Sequence, residues 1–462
     1  MTDLVLTGGT VVTMDAQRRM FAPGYVSIRN GIIEGTGPAG AAPAAAARTL
    51  DAAGKVVLPG FINTHTHLFQ TLLKGPGDDR KLEEWFRNVV GPASSELTEE
   101  DCYHAALAGC MEAIRSGTTT VKDFMYAHPR PKLSDAVVRA MLDTGVRGVF
   151  VRGYIDHGEE YGVPPALIQP TDEVLADCER VARRYHGAAG RIHVRFGPCM
   201  IWSCSSDGLR ATKRLADDLG VELTMHIAET PFSVENSLQR FGVGDLAFLE
   251  RIGFLDSPTL AVHCVHLTAR DLRILKARGV TVSHNPTSNM YLASGVAPVP
   301  QMLMAGIAVG LATDGPASNN NQNMIQALKF GALLHKVHTL DPTAITAEQA
   351  LEMATIGAAK ALGISGEVGS LEPGKRADVI VLNLRNVFAS PLHHPVSSLV
   401  YAAVGSEVET VIIDGRVVMD DGRIQTADEP GALRDAQRAA EQLLERARIA
   451  RPMERPWRPF AF

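Results

Sequence analysis

Two histidines, His65 and His67, stand one residue apart after a largely apolar run over 55–61 that contains Val56, Val57, Leu58 and Phe61. On an extended strand, side chains two apart point the same way, so both imidazoles can offer neutral nitrogens to one metal ion. Further donors recur downstream, each at the end of a strand-length segment. Over 222–227, Glu222, Thr224 and His226 alternate with Leu223, Met225 and Ile227, and Glu229 follows three residues after His226. His263 ends 259–263, within Val262-His263-Cys264-Val265-His266. Asp314 follows 307–313 in the register of Ala308, Gly310 and Ala312, whose small side chains leave room beneath it. Taken singly, His226 or His263 reads equally well as a hydrogen-bonded core histidine, and Asp314 as the cap of a short helix beginning near Gly315. Together these residues place three imidazoles and a carboxylate at one end of the fold, with a further imidazole and carboxylate nearby. Burying so many polar groups without a partner would cost several kcal/mol, whereas a divalent cation satisfies most of them. A mixed nitrogen and oxygen set suits Zn²⁺, and iron or manganese accept it too.

The elements that must position these residues follow from the repeating pattern of the middle of the chain. After the first strand, strand candidates lie at 118–122, 148–155, 191–196, 222–227, 259–263, 280–284 and 307–313, with helical patterns between most of them. The clearest helix spans 99–115, where Thr98 and Asp101 are spaced as a capping box and Tyr103, Leu107, Cys110, Met111 and Ile114 share a face. Eight strands alternating with helices predict an α/β fold, a (β/α)8 barrel whose chemistry sits at the carboxyl ends of the strands. A doubly wound open sheet would alternate in the same way, but no glycine-rich phosphate fingerprint follows the first strand.

Both chain ends read as short strands. Residues 4–14, then 25–29 and 32–34 joined at Asn30-Gly31, are answered late in the chain by 378–383, then 408–413 and 416–419 joined at Asp414-Gly415. Asn-Gly and Asp-Gly are hairpin signals, because both central residues of a type I′ turn need positive φ. Residues 35–47, rich in Ala, Gly and Pro, read as a surface loop. Neither block is large enough to hold a core by itself. The expectation is therefore a small β-sandwich domain built from 1–57 and 364–425, a barrel over 58–363, and a C-terminal helix and tail over 426–462.

Composition narrows the class. A formal net charge of -6 offers no basic face to nucleic acid, and no apolar stretch approaches the roughly 20 residues that span a bilayer. Six cysteines lie scattered without a paired framework, and Met1-Thr2-Asp3 opens no signal segment, so a cytoplasmic location is expected. The amphipathic stretch 431–450 reads as a helix packed on the barrel exterior or on a second subunit, and a homo-oligomer is expected.

The segments Pro59 through His67, His226 with Glu229, His263-Cys264-Val265-His266, Ser283-His284-Asn285-Pro286 and Thr313-Asp314-Gly315 resemble the amidohydrolase superfamily, in particular its aminohydrolases of nucleosides, purines and triazines. The resemblance covers nearly the whole chain. It implies that His65, His67, His226 and Asp314 hold one metal ion, that Glu229 and His263 are a catalytic pair assisted by Asp314, and that an exocyclic amino group leaves a small aromatic N-heterocycle as ammonia. Consistently, 191–196 contains no lysine that could be carboxylated to bridge a second metal. Gln70, Glu83, Trp85, Arg152 and Cys199 are placed to line the mouth and contact substrate. Leu82-Glu83-Glu84-Trp85 and Arg152-Gly153 resemble the segments with which adenosine-type deaminases hold ribose, while Gly197-Pro198-Cys199 departs from the Gly-Pro-His of those enzymes and, with Gln70, looks more like triazine or oxopurine enzymes. Gly315, Ser318 and Asn319 resemble deaminases more than the triazine chlorohydrolase, which has Asn after its metal Asp. Displacement of chloride from a triazine by the same activated water is the alternative chemistry, and a non-catalytic scaffold of the same fold is the alternative class.

Overall fold

The computed structural model describes residues 2–450. Its centre is a sheet of eight parallel strands in sequential order: β1 (Phe61–Thr66), β2 (Thr118–Met125), β3 (Arg147–Tyr154), β4 (Ile192–Pro198), β5 (Leu223–Ile227), β6 (Thr259–His263), β7 (Thr281–His284) and β8 (Val309–Leu311). The first and last strands meet where the Asp314 N–H donates to the His65 carbonyl (3.0 Å) and the Thr64 hydroxyl to the Leu311 carbonyl (3.1 Å), bringing the sheet round into a (β/α)8 barrel. Gly310 allows that approach, since a Cβ there would strike the Thr64 side chain. Gly153 and Gly197 likewise clear space for Phe124, whose ring fills the barrel beneath the histidines.

Two further sheets lie outside the barrel. A four-stranded sheet contains Thr2–Thr7, Gly24–Arg29, Ile32–Pro38 and Ala46–Asp51. A seven-stranded sheet joins Thr10–Val12, Met20–Phe21 and Val56–Pro59 to Val379–Leu382, Val408–Ile413, Arg416–Asp420 and Arg423–Ile424. The period-2 alternation of the larger sheet explains why it is apolar on both faces. Val57, Val379, Val381 and Ile412 pack against Leu4, Leu6, Val26 and Ile28 of the smaller sheet, while Val56, Leu58, Ile380 and Val411 join the barrel's core. Both expected hairpins form, with positive φ at Asn30 and Gly31 and at Asp414 and Gly415. Arg147, at the start of β3, makes a buried bidentate pair with Asp378 (2.9 Å to each oxygen) and so ties the barrel to the larger sheet.

Three sequence expectations are corrected here. The run 55–61 is not one barrel strand: it divides at Gly60, where a Cβ would collide with Thr119, and Val56–Pro59 pairs with Val379–Leu382 while β1 begins at Phe61. An apolar run buried on both faces looks the same in either sheet, so its partner could not be read locally. Residues 4–14 divide in the same way at Gly8-Gly9, with Gly8 at φ 89°. Residues 35–47 are not a loop throughout, because Ile32–Pro38 runs into them and Ala46–Asp51 leaves them, pairing in parallel with Thr2–Thr7. That edge strand carries mostly exposed side chains and so shows no apolar alternation.

The C-terminal helix spans Glu429–Arg446 and lies antiparallel on Glu99–Arg115, pinned by Arg115 to Glu429 at one end and by Arg446 to Asp101 at the other. Its apolar face (Ala432, Ala436, Ala439, Leu443) is thereby covered within the chain. The Thr98–Asp101 capping box forms as the spacing predicts. The expected tail over 451–462 lies outside the described residues. Among the described residues, no helix is long and apolar enough to cross a membrane, and all six cysteines are free and buried.

Candidate active site

At the carboxyl end of the barrel, the backbone is bent to aim side chains inward. The pairing of β1 with β2 is irregular between Asn63 and Thr66. This lets the Thr64 hydroxyl meet Ser283 inside the barrel (2.7 Å) while His65 turns its ring among the other imidazoles. Ala228 (φ 48°), His263 (φ 69°) and Asp314 (φ 61°) adopt the left-handed region that costs a non-glycine residue energy and concentrates at functional sites.

The imidazoles of His67, His226 and His263 stack as a row, with centroids 5.3 Å and 5.5 Å apart, and His65 lies edge-on to all three. His65 Nε2 is 3.3 Å from Asp314 Oδ1, His67 Nε2 is 3.5 Å from the same oxygen, and the Nε2 atoms of His67 and His226 are 3.4 Å apart. His67 Nδ1 donates to the Phe124 carbonyl (2.6 Å) and His226 Nδ1 to the Cys199 carbonyl (2.9 Å), which leaves each Nε2 bare and directed at the common centre. Both ring nitrogens of His65 are buried without a hydrogen-bond partner. Burial foremost lowers the proton affinity of His65, His67 and His226. Burial works to raise Asp314, yet the close approach of His65 and the other facing imidazoles hold it well below the usual carboxylate range. Unprotonated nitrogens crowded onto an ionised carboxylate are the donor set that a divalent cation needs, and these residues fit one.

Beside the ligand set, His263 Nε2 is 3.5 Å from a Glu229 carboxylate oxygen and 4.0 Å from Asp314 Oδ2. Burial foremost, with Asp314 and Glu83 adding to it against the pull of His263, pushes the Glu229 carboxyl up to about 7. Above these groups lies a narrow cavity walled by Leu82, Trp85, Phe86, Ile155, Met200 and Trp202. A roomier groove between Glu99–Arg115 and Glu429–Arg446 has no such convergence, since its charges pair off as Arg115 with Glu429 and Lys74 with Glu112.

The amidohydrolase family model matches residues 56–418. The chain belongs to the amidohydrolase family. It is 38% identical over 443 residues to the 5-methylthioadenosine/S-adenosylhomocysteine deaminase of Syntrophomonas wolfei subsp. wolfei, covering 96% of this chain and 99% of that one. It is 40% identical over 448 residues to the 5'-deoxyadenosine deaminase of Methanosarcina mazei, covering 96% and 99%. Among solved structures, an adenosine deaminase from Xanthomonas campestris with bound zinc superposes with a TM-score of 0.89 at 29% identity, covering 96% of this chain and 99% of that one. An atrazine chlorohydrolase from Arthrobacter aurescens complexed with zinc gives 0.88 at 26%, covering 95% and 100%.

In this amidohydrolase, the residues expected to contact substrate do not share one location. Trp85 and Cys199 line the cavity, with the Trp85 indole N–H donating to the Ala317 carbonyl (2.8 Å). Glu83 stands at the rim, accepting from the Thr230 hydroxyl (3.4 Å). Gln70 is fully buried behind His67, packed so closely that a Cβ on Gly315 would fall on its amide, and it donates to the Tyr126 hydroxyl (3.1 Å). Arg152 points away from the cavity. Val151 and Gly153 take the inward positions of β3, and the guanidinium pairs instead with Asp177 of the helix Thr171–Tyr185 (2.6 Å). The expectation that Arg152 lines the mouth is corrected by this alternation.

The site also uses Ser318, which the sequence likens to deaminases, and three residues that no motif marks, Ser288, Asn289 and Tyr126. Asp314 Oδ2 accepts from Ser288 (2.6 Å) and Ser318 (3.2 Å), and His263 Nδ1 pairs with Asn289 Oδ1 (2.9 Å). Ser288 and Asn289 sit in the short helix Pro286–Tyr291 just past β7, where small polar residues after a strand end are the available signal. Tyr126 continues the inward register of Lys122 and Phe124, so period-2 counting along β2 would have found it.

Proposed function

We propose that this amidohydrolase is a divalent-metal-dependent hydrolytic deaminase of a small aromatic N-heterocycle. The convergence of His65, His67, His226 and Asp314 beneath the Glu229–His263 pair carries the reading. Zinc is the proposed ion, on the mixed nitrogen and oxygen donor set and on relatives that hold zinc. Relatives named for adenosine derivatives make a 6-aminopurine nucleoside the first substrate class to test. Six free, buried cysteines support a reducing, cytoplasmic setting.

A divalent ion held by these four residues supplies Lewis acidity that brings the pKa of water from about 15.7 toward 7. Asp314, ionised and braced by Ser288 and Ser318, takes the water proton. Glu229, retaining its proton to about pH 7, gives it to the ring nitrogen beside the attacked carbon as the carbon–oxygen bond forms. His263, with Asn289 on its far nitrogen, orients the attacking oxygen between the two carboxyl groups. Asp314 then returns its proton to the amino nitrogen, the carbon–nitrogen bond breaks and ammonia leaves, while the proton of the new hydroxyl passes to the Glu229 carboxylate, so the ring keeps an oxo group and Glu229 is again the neutral acid. The test is ammonia release by the zinc-loaded protein from adenosine derivatives, oxopurines, pterins, cytosines and aminotriazines. Silence on all of them, with chloride released from a chlorotriazine, would replace deamination by the alternative displacement.

A further inference from the structure

The stacked row of imidazoles has two ends. Glu229 stands at the His263 end, and Tyr126 stands at the His67 end, its ring 5.0 Å from that of His67 and edge-on to it. Phe69 braces the phenol from the far side (5.2 Å, edge-on). Gln70 donates to the phenol oxygen at 3.1 Å, and among the described residues the phenol itself donates to nothing. The other hydroxyls on the cavity wall are engaged: Ser318 has Asp314 and the Gly315 carbonyl within reach of its one hydrogen, and Ser203 donates to the Met200 carbonyl. The Tyr126 hydroxyl therefore combines burial, an address on the cavity wall and an unspent hydrogen. A buried donor without an acceptor is costly and is discharged by a ligand that supplies one.

We propose that Tyr126, held by Gln70, is a specificity-determining residue that donates to an acceptor nitrogen on the flank of the substrate opposite the one Glu229 protonates. This rests on the deaminase reading of the same site. A 6-aminopurine has acceptors on both flanks of its amino-bearing carbon, N1 on one side and N7 across the ring fusion on the other. Aminotriazines and 4-aminopteridines share this two-flank pattern. A 4-aminopyrimidine such as cytosine presents a C–H where Tyr126 needs a lone pair. The site thus selects purines, triazines and pteridines against cytosines, and Gln70 enters specificity through Tyr126 rather than by touching substrate.

The experiment compares adenosine with 7-deazaadenosine, in which that nitrogen is replaced by C–H, on the zinc-loaded wild type and on Tyr126→Phe. It is paired with calorimetric binding of the two corresponding 6-oxo products. In the wild type, the deaza change should lower kcat/KM and product affinity about tenfold or more, because the phenol is left unpaired. In Tyr126→Phe the parent should fall to a similar level, the deaza compound should lose nothing further, and bound metal should be unchanged. Equal turnover and equal binding of the pair by the wild type, which needs no variant to fold, would overturn the proposal while leaving the deaminase reading intact. Equal losses on both compounds in Tyr126→Phe would also overturn it. Failure of the wild type to deaminate or bind either purine, with ammonia released from another heterocycle, would overturn the purine assignment and this flank assignment together.

Discussion

A carboxyl group sealed from water beside other carboxylates keeps its proton longer than one in solvent, and Glu229 is pushed up to about 7 for these reasons, against the pull of the His263 imidazole. In the proposed reaction, below that pH it is the neutral acid that the ring nitrogen needs; above it, the charged form cannot donate. kcat/KM should therefore fall as pH rises through about 7, and a profile flat from pH 6 to 9 would remove Glu229 from the acid role. Glu229→Gln keeps the shape and loses the proton, so metal content should stay at one per chain while kcat drops about 10²- to 10⁴-fold. Gly315 tests packing rather than chemistry. A methyl group there meets the Gln70 amide and comes within 3.1 Å of the His67 Cβ, so Gly315→Ala should cost about 1–3 kcal/mol in thermal denaturation and weaken metal binding. An alanine variant as stable and as metal-replete as the parent would show that Gln70 yields freely.

Among the elements, β3 carries two separate duties on its two faces. Val151 and Gly153 face inward around Phe124 and Arg147, of the same parity, reaches Asp378 at the start of the strand, while Arg152 on the opposite face pairs with Asp177 of a helix. Arg147 and Asp378 are both buried, and their pairing holds the Arg147 guanidinium well above its ordinary value, with Asp378 the main favourable influence against the cost of burial. Removing one partner strands a buried charge. Asp378→Asn should lower unfolding free energy by about 3–5 kcal/mol in denaturant titration. A change below about 1 kcal/mol would mean that water or Asp414 replaces the carboxylate. Much of this level was legible in sequence, since seven barrel strands after the first, both hairpins and the Thr98 cap follow from local patterns that carry their own physical cause. The division of 55–61 was not, because a strand buried on both faces carries no mark of which sheet it joins.

At the scale of the molecule, the metal is expected to be part of the stability of the barrel mouth. Three bare imidazole nitrogens and an ionised carboxylate converge from β1, β5 and the segment after β8, so an ion binding there stabilises the folded chain in proportion to its occupancy. Chelation should abolish ammonia release and lower Tm, with both restored by zinc; a Tm indifferent to chelator would separate the ion from the fold. By itself the sequence determined which donor types exist and how they face along each strand: the shared side of His65 and His67, the inward His226, and the small residues beneath Asp314. Spacing along one strand is a local quantity fixed by the pleat. Only the tertiary structure decided what lies across from what. It turned Arg152 toward Asp177 of a neighbouring helix instead of into the mouth, set Gln70 behind His67, and brought Tyr126 and Glu229 to opposite ends of one row of imidazoles. Those relations depend on register, on bulges and on backbone turned at single residues, and summed over eight strands they are not local.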